Sequence, residues 1–251
     1  MPRRKPAASG APKPANPPQA GRRARILIVD DHPLIRRGLS ELINRELDVE
    51  VCGEAATIAE ALERVEQLGP ELALIDLQLA DGHGLELIKQ IRARRPATRM
   101  LVLTMHDAAL FAERALQAGA SGFVNKQEPA HEVLAAIRRV LGGGVSLPER
   151  FAGEALGRLL GRRSAVLPPT SPGIQRLSDR EVEIMSLLGL GHTVKEIAAR
   201  LHLSAKTVDA HRDRLKRKLG LRSSTELLRY ALALAMELKG PSIPPAPEAV
   251  P

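Results

Sequence analysis

Between residues 25 and 145 the sequence alternates short apolar runs with amphipathic segments, and this alternation limits the fold more than any other feature. The apolar runs predict five strands: Ile26–Asp30, Val49–Ala55, Glu71–Asp76, Met100–Thr104 and Gly122–Asn125. Helical periodicity predicts helices between and after them at 34–45, 57–69, 84–94, 107–118 and 128–141. Five strand–helix repeats of this kind are typical of a doubly wound parallel α/β sheet with right-handed crossovers.

The pattern changes after this first domain. Residues 146–175 are rich in Pro and Gly and are interpreted as a linker containing one short helix, Leu147–Leu160. Four helical segments follow and predict an all-α second domain over 176–238: Asp179–Leu188, Val194–Leu201, Ala205–Leu219 and Ser223–Leu238. Ser178 with Glu181 predicts a capping box, and Ser204 predicts a helix N-cap. The Pro-rich ends, 1–24 and 239–251, are predicted to be disordered tails.

Composition bounds the kind of protein this is. The chain has no Trp, one Tyr and three Phe, so its cores are predicted to be aliphatic. Its one cysteine, Cys52, excludes an intrachain disulfide and fits a reducing compartment. No stretch approaches the roughly 18 apolar residues of a membrane span. We therefore expect a cytoplasmic protein without a membrane partner.

Charge is unevenly distributed along the chain. Residues 1–25 carry seven basic groups and no acid. Residues 26–145 carry 13 basic and 18 acidic groups, a net charge of −5, whereas residues 176–238 carry 12 basic and 8 acidic groups, a net charge of +4. An acidic domain joined to a basic one indicates two tasks, the second of them near a polyanion.

Five polar residues stand at or just past the ends of four predicted strands: Asp30, Asp31, Asp76, Thr104 and Lys126. The carboxyl ends of parallel strands meet in one crevice, where ligands bind in open α/β sheets. Three carboxylates do not all stay ionised at close range without a cation, and oxygen ligands suit Mg²⁺. The spacing predicts a magnesium site for phosphoryl transfer, with Asp76 as the acceptor.

Each of these residues also has a purely structural interpretation. Asp31, which precedes His32-Pro33, fits a turn former or a helix N-cap. Thr104 alone is an ordinary strand residue, and Lys126 alone is an ordinary solvated lysine. Their joint placement at strand ends favours a site. A nucleotide-binding loop is not indicated, since the chain contains neither GxGxxG nor GxxxxGK[ST].

The segments Arg25–Pro33, Ile75-Asp-Leu77 with Gly84-Leu85, Leu103-Thr104 and Gly119–Lys126 resemble the receiver domain of a two-component response regulator, over residues 25–145. The resemblance implies a flavodoxin-like sheet and phosphorylation of Asp76 by a sensor histidine kinase. It implies Mg²⁺ ligation by Asp31, Asp76 and the main-chain carbonyl of Gln78, with help from Asp30. It also implies that Lys126 pairs with the phosphoryl group and that Thr104 and Phe123 act as switch residues. Leu79-Ala-Asp81 departs from the Met-Pro-Gly usual in receivers.

The second domain contains two helical segments, Val194–Leu201 and Ala205–Leu219, joined by a tight turn. The second is rich in Lys and Arg, while Val208, Leu215 and Leu219 recur at helical spacing and are predicted to face a core. Such a pair fits a helix-turn-helix whose second helix enters the major groove of DNA. A small helical bundle with a charged face is the alternative.

The segment from Leu177 through Lys218-Leu-Gly220 resembles the LuxR-type DNA-binding domain, over residues 176–238. With the receiver, this places the chain among proteins similar to the NarL/FixJ family. The resemblance implies that Asp209, Ala210 and Asp213 face the bases, flanked by His211. The full set of residues expected at double-stranded DNA is Lys195, Lys206, Thr207, Asp209, Ala210, His211, Asp213, Arg214 and Lys218. Two carboxylates beside phosphates are unfavourable unless neighbouring Arg residues hold them or a cytosine amino group donates to them.

Together these features predict a DNA-binding response regulator rather than an enzyme. The resemblance implies that the unphosphorylated receiver masks the recognition helix and that phosphorylation of Asp76 releases it and favours a homodimer. One alternative is a phosphorylation-independent DNA-binding regulator with a degenerate receiver. Another is a Mg²⁺-dependent phosphohydrolase with an Asp nucleophile, which would want a second carboxylate two residues past the nucleophile, where this chain has Gln78.

Overall fold

The computed structural model describes residues 22–105, 108–148 and 174–239. The first domain contains seven strands: β1 Ala24–Val29, β2 Val49–Ala55, β3 Leu72–Ile75, β4 Gln78–Leu79, β5 Gly82–His83, β6 Arg99–Thr104 and β7 Gly122–Asn125. Its helices are α1 Pro33–Asn44, α2 Ile58–Leu68, α3 Gly84–Arg94, α4 Ala108–Ala118 and α5 Ala130–Leu141. The second domain contains α6 Asp179–Gly189, α7 Val194–Arg200, α8 Ala205–Leu219 and α9 Ser224–Lys239, preceded by a 3-10 turn at Ile174–Arg176.

The described residues leave some predictions without an outcome. The predicted linker helix Leu147–Leu160 and most of both predicted tails lie outside them. At the amino end, the sheet begins at Ala24, inside the predicted tail, and the guanidinium group of Arg23 donates hydrogen bonds to the carbonyl oxygens of Asn44, Glu46 and Val49. These bonds tie the start of β1 to the turn before β2.

Five of the strands form one parallel sheet in the order β2-β1-β3-β6-β7, so the predicted fold class is confirmed. Alternate side chains of β1 enter two different cores. Leu27 and Val29 pack with α2, α3 and α4, whereas Ile26 and Ile28 pack with α1 and α5. A strand buried on both faces needs a continuous apolar run, which is why these strands are visible in the sequence.

The loop after β3 is held by main-chain contacts. The short strands β4 and β5 pair antiparallel, and Gly84 N–H donates to the carbonyl oxygen of Leu77. A Cβ atom at Gly84 would overlap the carbonyl oxygen of Asp76 and lie 2.9 Å from Leu77 Cα. Only glycine permits this close approach, so Gly84 fixes where α3 begins relative to the end of β3.

Side-chain caps define the helices of the second domain. The Ser178–Glu181 capping box predicted at the start of α6 is present, and Thr193 with Glu196 forms a second box at α7. The predicted N-cap Ser204 accepts a hydrogen bond from Thr207 N–H at 3.0 Å and starts α8. These caps satisfy amide groups that the first turn of a helix leaves without partners.

The capping residue Glu181 also links α6 to α8. Its side chain is 3% exposed, and Lys218 Nζ lies 2.7 Å from its Oε2 atom. Burial alone would raise the pKa of Glu181, but hydrogen bonds from Lys218 and the Ser178 backbone outweigh it, so the pKa is lowered.

Among the described helices none combines the length and the apolar character that crossing a bilayer requires.

Replacing Gly84 by Ala is expected to destabilise the first domain by about 1–3 kcal/mol, because backbone atoms cannot move away from the new methyl group. The control Gly38→Ala lies within α1 with open space around the position. The Gly38→Ala protein should be more stable than wild type by about 0.5–1 kcal/mol, as expected when a glycine is removed from a helix interior. Urea unfolding curves measure both changes, and a Gly84→Ala protein as stable as wild type would contradict this packing.

Replacing Glu181 by Gln is expected to reduce the free energy of unfolding of the second domain by about 1.5–3 kcal/mol at neutral pH, since charge-assisted hydrogen bonds are removed. The folded-state pKa lies below the unfolded value of 4.5, so this stabilisation is present above about pH 4.5 and disappears as the pH falls through the folded-state pKa. Denaturant titrations of both proteins at a series of pH values should show their difference shrinking in acid. The exposed control Glu86→Gln should change stability by less than about 0.5 kcal/mol.

Candidate phosphorylation site and nucleic-acid interface

Four strands deliver polar side chains to one edge of the sheet. Asp30 follows β1, Asp76 follows β3, Thr104 ends β6 and Lys126 follows β7, and these strands are neighbours in the order β1-β3-β6-β7. Backbone hydrogen bonds from Asp76 N–H to Val29 O and from Lys126 N–H to Thr104 O hold the strand ends level. The structure therefore brings together the residues that the sequence pattern selected.

The Lys126 ammonium group joins two buried carboxylates. Its Nζ atom lies 2.5 Å from Asp30 Oδ2 and 2.6 Å from Asp76 Oδ2, and its side chain is 7% exposed. Burial alone would lower the pKa of Lys126, but the two carboxylates outweigh it and raise the pKa. The lysine is thus a fixed positive charge at the strand ends.

The carboxyl group of Asp76 is deeply desolvated. Burial raises its pKa and the charge of Asp30 adds to the increase, while the pairing with Lys126 opposes both. Its Oδ1 atom is buried and accepts no hydrogen bond from the described residues. One oxygen of the carboxylate is therefore held by Lys126, and the Thr104 hydroxyl also lowers the pKa of the group.

The acidic cluster suits a divalent cation. Ligand atoms of Asp30, Asp31, His32 and Asp76 all lie within 4.8 Å of one another. Asp31 Oδ1, like Asp76 Oδ1, is buried and accepts no hydrogen bond with suitable geometry within the described chain, although His32 Nδ1 lies 2.6 Å away. Buried carboxylate oxygens that converge in this way are the ligands that Mg²⁺ prefers, so the donor set fits this ion.

The loop after Asp76 is folded differently from a plain turn. The backbone of Gln78 is part of the short β4–β5 pair, and its side-chain amide donates a hydrogen bond to the carbonyl oxygen of Arg200 in the second domain. Asp81, where the sequence departs from the usual receiver pattern, accepts hydrogen bonds from Ile58 and Ala59 at the start of α2. The departure therefore anchors the loop through a helix N-terminus instead of leaving it free.

The two predicted switch residues are both buried. Thr104 is 1% exposed and ends β6, and Phe123 is 1% exposed within β7, one strand further along the sheet. Phe123 belongs to the core that contains α3 and α4. We call the strand ends that carry Asp30, Asp76, Thr104 and Lys126 the acceptor edge. A change there would reach the two switch residues through packed side chains.

Most side chains predicted to meet DNA lie on the outer face of α8. The exposed members of the predicted set are Lys195 at the start of α7 and Lys206, Asp209, Ala210, Asp213, Arg214 and Lys218 on α8. Thr207 is partly exposed next to the Ser204 cap. Val208 and Leu215 are buried as predicted, and Leu219 packs against the core.

Internal ion pairs hold the two carboxylates on this face. Arg212 Nη1 lies 2.7 Å from Asp209 Oδ1, and Lys216 Nζ lies 2.9 Å from Asp213 Oδ1. The hydrogen bond from Lys216 lowers the pKa of Asp213. Neighbouring cations thus reduce the repulsion that these acids would impose on phosphates.

Two residues predicted to contact DNA, Lys218 and His211, also interact within the second domain. The Lys218 ammonium group is bound to Glu181 and to the carbonyl oxygen of Arg176. His211 is partly buried, and burial lowers its pKa, favouring the neutral imidazole. Lys218 therefore has a structural partner inside the domain, and His211 flanks the exposed face without projecting fully from it.

Within the described residues the outer side chains of α8 are exposed, and the masking expected for the unphosphorylated receiver stays a prediction. The outer residues of α8 stay exposed, and the domains meet through the α7–α8 turn and the amino end of the second domain. Two histidines at this contact, His32 and His202, were not among the predicted site residues. His32 could have been found from its position beside Asp31, but nothing local marks His202, whose imidazole lies 3.1 Å from Asp31.

Comparison with known proteins agrees with both halves of this description. Residues 26–138 match the response regulator receiver domain, and residues 175–231 match the bacterial regulatory proteins of the luxR family. The oxygen regulatory protein NreC of Staphylococcus aureus is 36% identical over 209 residues, which is 83% of this chain and 96% of that protein.

Two solved structures are similar. RcsB from Salmonella enterica serovar Typhimurium, bound to promoter rprA with the phosphomimetic BeF₃⁻, is 27% identical over 84% of this chain and 99% of that one, with a TM-score of 0.54. A LuxR-family two-component response regulator from Aurantimonas sp. is 36% identical over 55% of this chain and 99% of that one, with a TM-score of 0.51. The chain belongs to the NarL/FixJ family, the DNA-binding two-component response regulators with a LuxR-type domain.

Proposed function

We propose that this regulator is switched by transfer of a phosphoryl group from a sensor histidine kinase to Asp76. The observation that supports this most directly is the buried carboxylate of Asp76, whose Oδ2 atom is held by Lys126 and whose Oδ1 atom accepts no hydrogen bond of suitable geometry from the described residues. An oxygen of Asp76 attacks phosphorus, the bond from phosphorus to the donor nitrogen breaks, and an acyl phosphate forms on the aspartate.

The surrounding residues supply charge to this reaction. We propose Asp31, Asp76 and the main-chain carbonyl of Gln78 as Mg²⁺ ligands, with Asp30 assisting. When bound there, the ion would neutralise charge that spreads over the phosphoryl oxygens. Lys126 can exchange its contact with Asp76 for one with the phosphoryl group, and Thr104, at the end of the neighbouring strand, can donate its hydroxyl to it.

Two features support a regulator rather than a phosphohydrolase. The position two residues past Asp76 carries Gln78, whose amide is engaged with Arg200 and which lacks the acid–base chemistry of a second carboxylate. The chain also carries a basic helical domain that hydrolysis does not require. We therefore infer that the protein controls transcription in the cytoplasm. We also infer that it catalyses no reaction other than its own phosphorylation and dephosphorylation.

We propose that phosphorylated copies pair through the last helix. Leu228, Leu232 and Met236 recur every four residues on α9 and are 43%, 42% and 74% exposed. An apolar stripe of this kind on one helix face suits a second copy of the same helix. Paired copies would place two α8 helices on DNA, as dimeric helix-turn-helix proteins do.

Replacing Asp76 by Asn is expected to abolish phosphorylation by acetyl phosphate and by a sensor kinase, since an amide does not form the acyl phosphate. Intact-mass spectrometry measures the added phosphoryl group. The control Asp48→Asn removes an acid that precedes β2, at the opposite edge of the sheet, and should be phosphorylated as wild type. Persistent, hydroxylamine-sensitive phosphorylation of the Asp76→Asn protein would contradict the assignment.

Neutralising Lys206 and Arg214 together as Gln is expected to weaken binding to all duplex DNA sequences, because both are proposed to bind phosphates. The slope of log K against log salt concentration should become shallower by about 0.9 for each phosphate that the protein no longer neutralises. Fluorescence anisotropy with labelled duplexes over a salt series measures this slope. The control Arg37→Gln removes an exposed cation from α1 of the receiver and should leave the slope unchanged.

A further inference from the structure

Among the described residues, side-chain hydrogen bonds join the two domains at two separate regions of the receiver. In the first, the guanidinium group of Arg114 on α4 donates to Asp179 Oδ1 at 2.8 Å and to the carbonyl oxygens of Ile174 and Leu177. Lys89 Nζ lies 3.4 Å from Asp179 Oδ2. This region, which we call the pivot, lies where the second domain begins, against α3 and α4 of the receiver.

The second region lies on the acceptor edge itself. His202 Nε2 lies 3.1 Å from Asp31 Oδ2, and the Gln78 amide donates to the carbonyl oxygen of Arg200. We call these two contacts the latch. They come from the end of α7 and from the turn that follows it, so one short segment of the DNA-binding domain lies against the residues proposed to hold the metal.

The backbone of His202 has the left-handed conformation that few side chains adopt. Its φ of +52° makes it the one described non-glycine residue with positive φ. Positions that follow a helix in this conformation favour glycine, and a larger residue there carries a strain of about 1–3 kcal/mol. The imidazole contact with Asp31 is a compensating interaction that glycine would lack.

The latch and a divalent cation act on opposite oxygens of the same carboxylate, the latch on Oδ2 and the cation on Oδ1. Asp31 has a side chain that is 6% exposed, and one of its oxygens faces His202 while the other faces His32. An imidazole N–H that donates to Asp31 places the positive end of the N–H dipole where the cation would approach. When Asp31 binds the cation, electron density in its carboxylate shifts towards the cation. The carboxylate then becomes a weaker hydrogen-bond acceptor for His202.

The latched arrangement also controls what reaches Asp76. The acceptor opens into a cavity of about 700 Å³ between the domains, lined on the receiver side by Asp76, Thr104 and Lys126 and on the other side by Leu187 and Leu234. A hydrated ion or a small phosphodonor fits such a space. A protein domain is far larger than this space, so a phosphodonor carried on a protein reaches Asp76 only when the latch is open.

We propose that the α7–α8 turn docks on the acceptor edge and that His202 and the divalent cation compete for Asp31. The competition rests on the proposed metal site but not on phosphorylation of Asp76. By linkage, metal binding and latch closure weaken each other by the same factor, and couplings of this kind are usually about 5- to 150-fold. Metal binding then loosens the latch before the kinase acts, while the pivot, which makes no contact with Asp31 among the described residues, holds the domains together.

The variant His202→Asn tests this competition, because asparagine tolerates positive φ but is too short to span the distance to Asp31. His131→Asn is the matched control, since His131 is exposed on α5 of the receiver and takes no part in either interdomain region. Isothermal titration calorimetry of full-length proteins with MgCl₂ measures affinity without phosphodonor. We expect His202→Asn to bind Mg²⁺ at least about fivefold more tightly than wild type, and His131→Asn to match wild type.

A second measurement reports on shape rather than affinity. Small-angle X-ray scattering should show that Mg²⁺ increases the radius of gyration of wild type and His131→Asn, whereas His202→Asn is already expanded without metal. Equal Mg²⁺ affinities in all three proteins, or scattering of wild type that Mg²⁺ leaves unchanged, would overturn the proposal. Failure of Asp76 to accept phosphate would refute the proposed function alone, because neither measurement uses a phosphodonor.

Discussion

The ammonium group of Lys126, shared by Asp30 and Asp76, is the interaction on which the acceptor edge depends. Two carboxylates at 2% and 5% exposure are expensive to desolvate, and their mutual repulsion adds to that cost. A single lysine offsets one negative charge and leaves the edge with an excess of negative charge. That excess is what makes the edge a site for a cation and for a phosphoryl group that arrives with one.

The sheet makes this arrangement possible by being rigid where the charges meet. Strands buried on both faces leave the strand ends no freedom to separate the carboxylates, because each end is bonded to its neighbour. Gly84 contributes in the same way from the loop, since its close approach to Asp76 fixes the chain that leaves the acceptor. A charged cluster that a flexible chain would disperse is therefore held together by apolar packing elsewhere.

The parts of this structure that could be predicted from the sequence are those that depend on local patterns. Strands buried on both faces read as apolar runs, and the side chains at their ends follow from parallel topology, which is why Asp30, Asp76 and Lys126 could be grouped from sequence alone. The β4–β5 pair was missed because two-residue strands leave no periodic signal. The engagement of Lys218 by Glu181 was missed because a basic residue on a helix has the same sequence pattern whether it faces DNA or a buried acid. The contact of His202 with Asp31 joins residues 171 positions apart, which no local pattern reports.

Carboxylates form ion pairs both on α8 and at the acceptor edge. The free energy needed to separate a carboxylate from its cation differs between the two places. On α8, Asp209 and Asp213 are 55% and 67% exposed, so their pairs with Arg212 and Lys216 contribute little stability and can be exchanged for contacts with DNA. At the acceptor edge the pairs are buried, and removing one partner leaves an uncompensated charge. Exchange there needs a replacement cation. The reading surface can thus adapt to DNA freely, whereas the acceptor edge changes its partners only when a specific ion or phosphoryl group arrives, and this difference confines control to the receiver.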